Sequence, residues 1–233
     1  MEAIILAGGF GTRLKSVVRD VPKSMALINN RPFLEYQLDY LIGQGIDKVI
    51  LSVGYKREVI ISHFKNRYRS LDIDYAVEEE PLGTGGGIRL SFFNIKSPRA
   101  FVLNGDSIFR IGLSPLMEFH NLKKADISIA LRKLPDTGRF GRVTLNRNRR
   151  ISGFTEKDPA AGKGLINSGV YVVNKHFLMD PDFRGAFSIE RDCFERYYQS
   201  ARFFGYPSEG YFLDIGIPED YNKAKHDFEG FGN

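Results

Sequence analysis

The sequence predicts an α/β domain built on a doubly wound, mostly parallel sheet with a small antiparallel extension. Short Ile- and Val-rich runs alternate with longer amphipathic stretches, a glycine-rich turn follows the first run directly, and after Pro135 the texture changes to short strands and turns. With 233 residues, one such domain is favoured over two.

The first strand is expected at Ala3–Leu6, followed by the glycine turn. Pro32 to Leu41 reads as a helix, with proline in the first turn and Phe33, Leu34, Leu38 and Leu41 on one face. Val49–Val53 is the second strand. Lys56 to Arg67 is the next helix, with Val59, Ile60, His63 and Phe64 together. Strands Ile73–Glu78 and Ala100–Leu103 follow, then a helix from Leu113 to Lys124 and a strand at Ile127–Leu131. Repeated strand–helix–strand units imply right-handed crossovers. Beyond Pro135, Val143–Leu145, Ile151–Phe154 and Gly169–Val173 are joined by turns, which suggests antiparallel pairing. Pro218 to Phe228 closes the chain as a helix packed back on the first half, with Pro218 at its first position. The expected organisation is one domain over 1–233, with parts at about 1–134 and 135–216 and the closing helix within 217–230.

Composition narrows the class. Apolar residues are 42% and aromatics 13%, enough for a core and too many for a disordered chain. Thirty-three Lys and Arg against 28 Asp and Glu give +5, a mild excess that suits phosphate-bearing ligands and falls short of a nucleic-acid footprint. The single Cys193 excludes a disulfide framework and fits a reducing compartment. The first apolar run is too short for a membrane span and no basic leader precedes it, so a cytoplasmic protein without membrane contact is expected. Oligomeric state stays open, a homo-oligomer included.

Leu6-Ala7-Gly8-Gly9-Phe10-Gly11-Thr12-Arg13-Leu14 lets the backbone turn sharply and aim several N–H groups into one concavity, and Arg13 can hold phosphate oxygens bidentately. A tight strand-to-helix turn would use glycines too. The dinucleotide fingerprint fails because Leu14 stands where glycine is required, and the P-loop fails at Gly11-Thr12-Arg13. Lys23, in Pro22-Lys23-Ser24, is either a surface lysine or a second phosphate ligand. Glu80-Pro81-Leu82-Gly83-Thr84-Gly85-Gly86-Gly87 offers bare backbone to a flat ligand, or a helix cap at Thr84. Asp106 ends the strand Ala100–Leu103 and its turn, where a doubly wound sheet gathers ligands and where turn residues are common as well. Asp214 ends another strand far along the chain. Glu156-Lys157 and Asn167-Ser168 offer hydroxyl-binding and charge-neutralising groups.

Together these stretches resemble the sugar-1-phosphate nucleotidyltransferases, in family order from Ala3 to Tyr221. The resemblance implies the Rossmann-like nucleotide-diphospho-sugar transferase fold, with the extension binding sugar. It implies that an NTP and a sugar 1-phosphate give an NDP-sugar and pyrophosphate. Leu6, Ala7, Gly8, Gly9, Gly11, Thr12, Glu80, Pro81, Leu82, Gly83 and Thr84 would then bind nucleotide, and Arg13 and Lys23 the reacting phosphates. Asp106 and Asp214, the latter in Asp-x-Gly-x-Pro, would share Mg²⁺. Gly141, Glu156, Lys157, Asn167 and Ser168 would hold the sugar phosphate, with Ser168 departing from the Gly or Ala of many relatives. Phe33-Leu34-Glu35, Pro81 to Gly86, Gly164 to Asn167 and Asp214 to Tyr221 are most similar to the D-glycero-α-D-manno-heptose 1-phosphate guanylyltransferases, which implies GTP as donor and a GDP-heptose for surface glycans. The mannose 1-phosphate guanylyltransferases come next. A non-catalytic nucleotide-sugar sensor is disfavoured because Arg13, Lys23, Asp106 and Asp214 are all present. His63, His120, His176 and His226 lack metal-ligand spacing, Cys193 has no histidine neighbour, and Arg147 to Arg150 reads as a solvated turn.

Overall fold

The computed structural model describes residues 1–9, 21–155 and 162–229. The first half alternates as expected. Strand β1 (Glu2–Leu6) leads to a hairpin of β2 (Leu27–Ile28) and β3 (Arg31–Pro32), then helix α1 (Phe33–Gly43) and strand β4 (Lys48–Val53). Helix α2 (Arg57–Phe64) and the short β5 (Arg67–Tyr68) precede β6 (Leu71–Val77), α3 (Gly83–Ser91) and β7 (Arg99–Asn104). Strands β6, β4, β1 and β7 lie side by side and parallel, with Ile5 opposite both Leu51 and Leu103. The centres of β1, β4 and β7 are buried on both faces, as a sheet covered on both sides requires, whereas β6 carries the exposed Asp72 on one face. Ala3, Ile5, Val49 and Leu51 feed one core while Ile4, Ile50, Ala100 and Val102 feed the other.

The second half departs from a simple extension. After β8 (Ser107–Phe109) and α4 (Leu113–Leu122), β9 (Ile127–Leu134) does not pair with β7. Beyond β10 (Arg142–Leu145) and β11 (Ile151–Thr155), the long β12 (Gly164–Asn174) inserts between β7 and β9, antiparallel to both. The stretch Gly169–Val173 therefore lies inside the main sheet, and α4 joins two strands of the same direction with one place left open between them. Val170 to Val173 is buried throughout, which suits an interior strand better than an outer ribbon. The start of β12 pairs with β10, and β10 with β11, so the antiparallel extension is confined to that end.

Helix α5 (Lys175–Leu178), a π-helical turn at Ile189–Phe194 and α6 (Glu195–Tyr197) lead to β13 (Phe203–Ser208), which runs parallel to β9 at the sheet edge. Finally β14 (Phe212–Asp214) pairs antiparallel with β8, and α7 (Pro218–Asp227) begins at Pro218. A third core, with Ile28, Phe33, Ile108, Leu213, Ile215, Tyr221 and Phe228, fastens this C-terminal segment to the first half. There the Tyr221 hydroxyl donates to the Leu27 carbonyl at 2.7 Å.

Candidate active site

The carboxyl ends of β1, β4, β6 and β7 surround a cavity of about 650 Å³. Parallel strands direct their C-terminal loops to one edge, so residues far apart in sequence meet there. Leu6, Ala7, Gly8 and Gly9 line it from β1, Lys23 from the 3-10 turn Lys23–Met25, and Asp106 from the turn after β7. Glu80, Pro81, Gly83 and Thr84 line the opposite side. Gly11, Thr12, Arg13, Glu156 and Lys157 lie outside the described residues.

Lys23 is nearly buried, and its ammonium donates to Asp106 Oδ2 at 2.7 Å and stands 3.8 Å from Asp214 Oδ1. The two carboxylates are brought together by the backbone. Asp214 pairs with Ser107 in the β8–β14 ribbon, and the Ile215 amide donates to the Asp106 carbonyl at 2.9 Å. Asp214 is held in turn, its Oδ1 accepting the Gly216 amide at 2.5 Å. Two hard oxygen donors converging on one cation suit a divalent ion of the Mg²⁺ type. Among the described residues no group of three or more His, Cys, Asp or Glu could hold a metal, so such an ion would need further oxygens from ligand or water.

The second glycine stretch works differently from a bare loop. Gly83 opens α3 and the following glycines form its first turns. The Gly85 amide donates to the Phe187 carbonyl at 2.9 Å, and the Phe187 ring fills the space where a Gly85 Cβ would stand. A Cβ on Gly87 would come 2.7 Å from Ser52 Oγ and 2.8 Å from Glu78 Oε1. These two glycines let α3 press against its neighbours, and Glu80, Pro81, Gly83 and Thr84 are left to line the cavity, whereas the Leu82 side chain packs against Gly86 and is not part of that lining. Thr84 is also tied inward, its hydroxyl donating to Glu190 Oε2 at 2.8 Å and accepting the Ile189 amide at 2.9 Å. Leu82 donates its amide to Glu78 Oε2 at 3.0 Å.

Glu78 is the functional candidate that motif reading missed. It lines the cavity at the end of β6, and its Oε1 accepts the Ser52 hydroxyl at 2.9 Å. Tyr55, Arg57 and Glu79 join it at the rim, with Arg57 Nη1 2.9 Å from Glu79 Oε2. A position just after the second or third parallel strand is the signal that could have found them.

Gly141, Asn167 and Ser168, expected on the sugar side, lie outside the cavity lining. Gly141 precedes β10, and its carbonyl accepts the Asn167 amide at 2.8 Å. Asn167 donates its side-chain amide to the Tyr171 hydroxyl at 2.9 Å and accepts the Gly169 amide at 3.0 Å, shaping a break in the β12 register. Gly169, at φ +77°, abuts Asn104 on the cavity wall, so this break borders the cavity. Ser168 is buried and donates its hydroxyl to the Ala130 carbonyl at 2.7 Å, a contact that faces the sheet and not the cavity.

His120 and Cys193 are both buried outside the cavity lining. Burial pushes His120 down to about 4, between Ser128 Oγ at 3.0 Å and Asn174 Oδ1 at 3.2 Å. Burial also pushes the Cys193 thiol up, which makes it a poor nucleophile.

A family model for nucleotidyl transferases matches residues 2–230. The chain is 44% identical over 231 residues to the D-glycero-alpha-D-manno-heptose 1-phosphate guanylyltransferase of Aneurinibacillus thermoaerophilus, covering 99% of this chain and 100% of that protein. It is 43% identical over 221 residues to the protein of the same name from Campylobacter jejuni, covering 95% and 97%. The crystal structure of HddC from Yersinia pseudotuberculosis complexed with GMP-PN aligns with a TM-score of 0.87 at 36% identity, over 98% of this chain and 99% of that one.

Proposed function

The chain belongs to the nucleotidyl transferase family, and on that premise we propose that it joins GTP to D-glycero-α-D-manno-heptose 1-phosphate. The observation that carries this reading is similarity above 40% along nearly the whole length of two proteins named for that activity. A phosphate oxygen of the sugar 1-phosphate attacks the α-phosphorus of GTP, the bond from that phosphorus to the bridging β-oxygen breaks, and pyrophosphate leaves with its electron pair. The attacking oxygen is already ionised, so no general base is required, and rate enhancement comes from positioning and charge neutralisation.

Lys23 supplies a fixed positive charge beside Asp106, and two of its three N–H donors remain for phosphate oxygens. Asp106 and Asp214 would hold Mg²⁺, which when bound offsets the negative charge of the phosphates. Arg13, Gly11 and Thr12 are proposed for the phosphate cradle, and Gly141, Glu156, Lys157 and Asn167 for the sugar phosphate, as the family resemblance implies. Glu78 supports the base. Its carboxylate is an acceptor with lone pairs to spare beyond Ser52 and Leu82, which matches the N1–H and exocyclic amine donors on one edge of guanine. Cytosine and thymine present no such donor pair.

No helix among the described residues is long and apolar enough to cross a membrane. A cytoplasmic reaction, consistent with the single cysteine, is part of the proposal, with GDP-heptose as activated donor for surface polysaccharide.

The test is pyrophosphate release over five NTPs with heptose and mannose 1-phosphates. GTP with the heptose should be fastest; preference for dTTP or CTP, or mannose 1-phosphate outrunning the heptose, would overturn the specific assignment. Glu78→Gln should cut kcat/KM for GTP by about 10- to 10²-fold, the worth of a charge-assisted hydrogen bond. An unchanged GTP preference would remove Glu78 from base recognition.

A further inference from the structure

Gln37 stands on the buried side of α1, only 1% exposed, and reaches the turn that carries Asp106. Its Nε2 donates to the Asn104 carbonyl at 2.8 Å and to the Ser107 carbonyl at 2.7 Å. Those two carbonyls flank Gly105 and Asp106. Two carbonyl acceptors demand the NH₂ end of the amide, which fixes its orientation by chemistry. The other end, Oε1, is buried with no hydrogen-bond partner among the described residues. A core position occupied for volume alone would take leucine or methionine and avoid the cost of that orphaned oxygen. The site tolerates it where both amide hydrogens are needed.

We propose that Gln37 is a positioning residue for the reaction, clamping the turn between β7 and β8 so that Asp106, and through the paired strands Asp214, face the reacting phosphates. The inference rests on the roles given above to Asp106 and Asp214. Besides the Lys23–Asp106 contact, three attachments locate that turn. The Gly105 amide donates to the Leu6 carbonyl at 3.0 Å, the Asp106 carbonyl accepts the Ile215 amide, and Gln37 bridges the two ends. Gln37 spans the turn with a single rigid group. Without it the carbonyls of Asn104 and Ser107 lose a buried donor, and the turn can rotate to find another.

The test compares Gln37→Met, which keeps an unbranched chain of similar length and removes the donors, with Gln37→Glu, which keeps the shape and turns an oxygen toward two carbonyls. Gln37→Met should retain a cooperative melt, because Met adapts readily to cores, while Gln37→Glu should melt at lower temperature, since its carboxyl is buried against two carbonyls with no cation. Each should lose about 10²-fold in kcat with KM for GTP and for the sugar 1-phosphate changed by less than about 3-fold, the pattern of a displaced reacting group. Hydrogen exchange of a peptide covering residues 103–108 should accelerate in both variants while peptides from β4 and β6 stay as in the wild type. The double variant Gln37→Met, Asp106→Asn should be no slower than Asp106→Asn, since Asp106 and Asp214 act as one unit and losing either already removes what the clamp positions. Wild-type kcat in either single variant, or losses that multiply in the double, overturns the clamp. Full activity in Asp106→Asn would overturn the role of Asp106 itself, which is a different result from activity retained in Gln37→Met alone.

Discussion

Gly105→Ala tests the floor of the site. A Cβ at this position would stand 2.4 Å from the Leu6 carbonyl oxygen, 3.1 Å from its carbon and 3.3 Å from Ala7 Cα. None of these can rotate away, because they are backbone at the end of β1, where the Ala7 amide is held to the Ser52 carbonyl at 2.8 Å. Ordinary contact begins near about 3.4 Å, so the turn and β1 must part by about 1 Å. Parting them lengthens or breaks the Gly105–Leu6 hydrogen bond. Losing that bond costs about 1 kcal/mol and crowding a packed region about 1–3, so the variant should be about 2–4 kcal/mol less stable. Asp106 is the next residue and moves with the turn. A displacement near 1 Å at a reacting group costs about 10²-fold in rate, so kcat should fall by that order, with GTP binding less affected. Urea unfolding followed by fluorescence reads the first effect and pyrophosphate release at saturating substrates the second. Stability within about 0.5 kcal/mol of the wild type together with kcat within about 3-fold would refute the steric argument.

Two further outcomes follow from the buried polar groups. His120 has its pKa depressed by burial from 6.5 to about 4, so the unfolded chain binds more protons between those values and stability should fall as pH drops through that window, by of order 3 kcal/mol in all; urea unfolding at successive pH values should show the slope, and His120→Gln should flatten it. Ser168→Ala removes the hydroxyl that donates to the Ala130 carbonyl, so it should lower stability by about 1 kcal/mol and leave the ratio of heptose to mannose 1-phosphate turnover unchanged, whereas a shifted ratio would restore Ser168 to the sugar side.

Legibility in the sequence follows burial. Strands β1, β4 and β7 are covered on both faces and read as short apolar runs, β6 reads by its alternation, and α1 and α4 show their faces by spacing. Strand β13 is hidden because Gly205 and Pro207 interrupt it, and it survives them beside β9, with only a single bridge from Phe204 to Arg150 on its other side among the described residues. The π-helical turn at Ile189–Phe194 carries no simple period. Placement of β12 was also out of reach. Its run Val170 to Val173 announces a buried strand, but nothing local says that it fills the gap between β7 and β9. Among cavity residues, those in glycine motifs were visible; Glu78, Tyr55 and Arg57 were not, because single polar residues after a strand look like any surface loop.

Asp106 and Asp214 illustrate the limit most sharply. Each was readable as a carboxylate at a strand end, and each taken singly was as good a turn residue. Their conjunction comes from β8 and β14, three residues apiece, too short to leave a period in the sequence. The pairing of Ser107 with Asp214 and of Ile108 with Leu213 sets the two carboxylates side by side before any side chain chooses a rotamer. Ile108 and Leu213 are buried in the core they share with Tyr221 and Phe228, so packing of α7 holds the ribbon in register. A one-residue slip would turn Asp214 to the opposite face and bury a charge where Leu213 now sits. The hydrophobic cost of slipping, set by the apolar neighbours and not by the acids, is therefore what fixes the distance between the two charged groups.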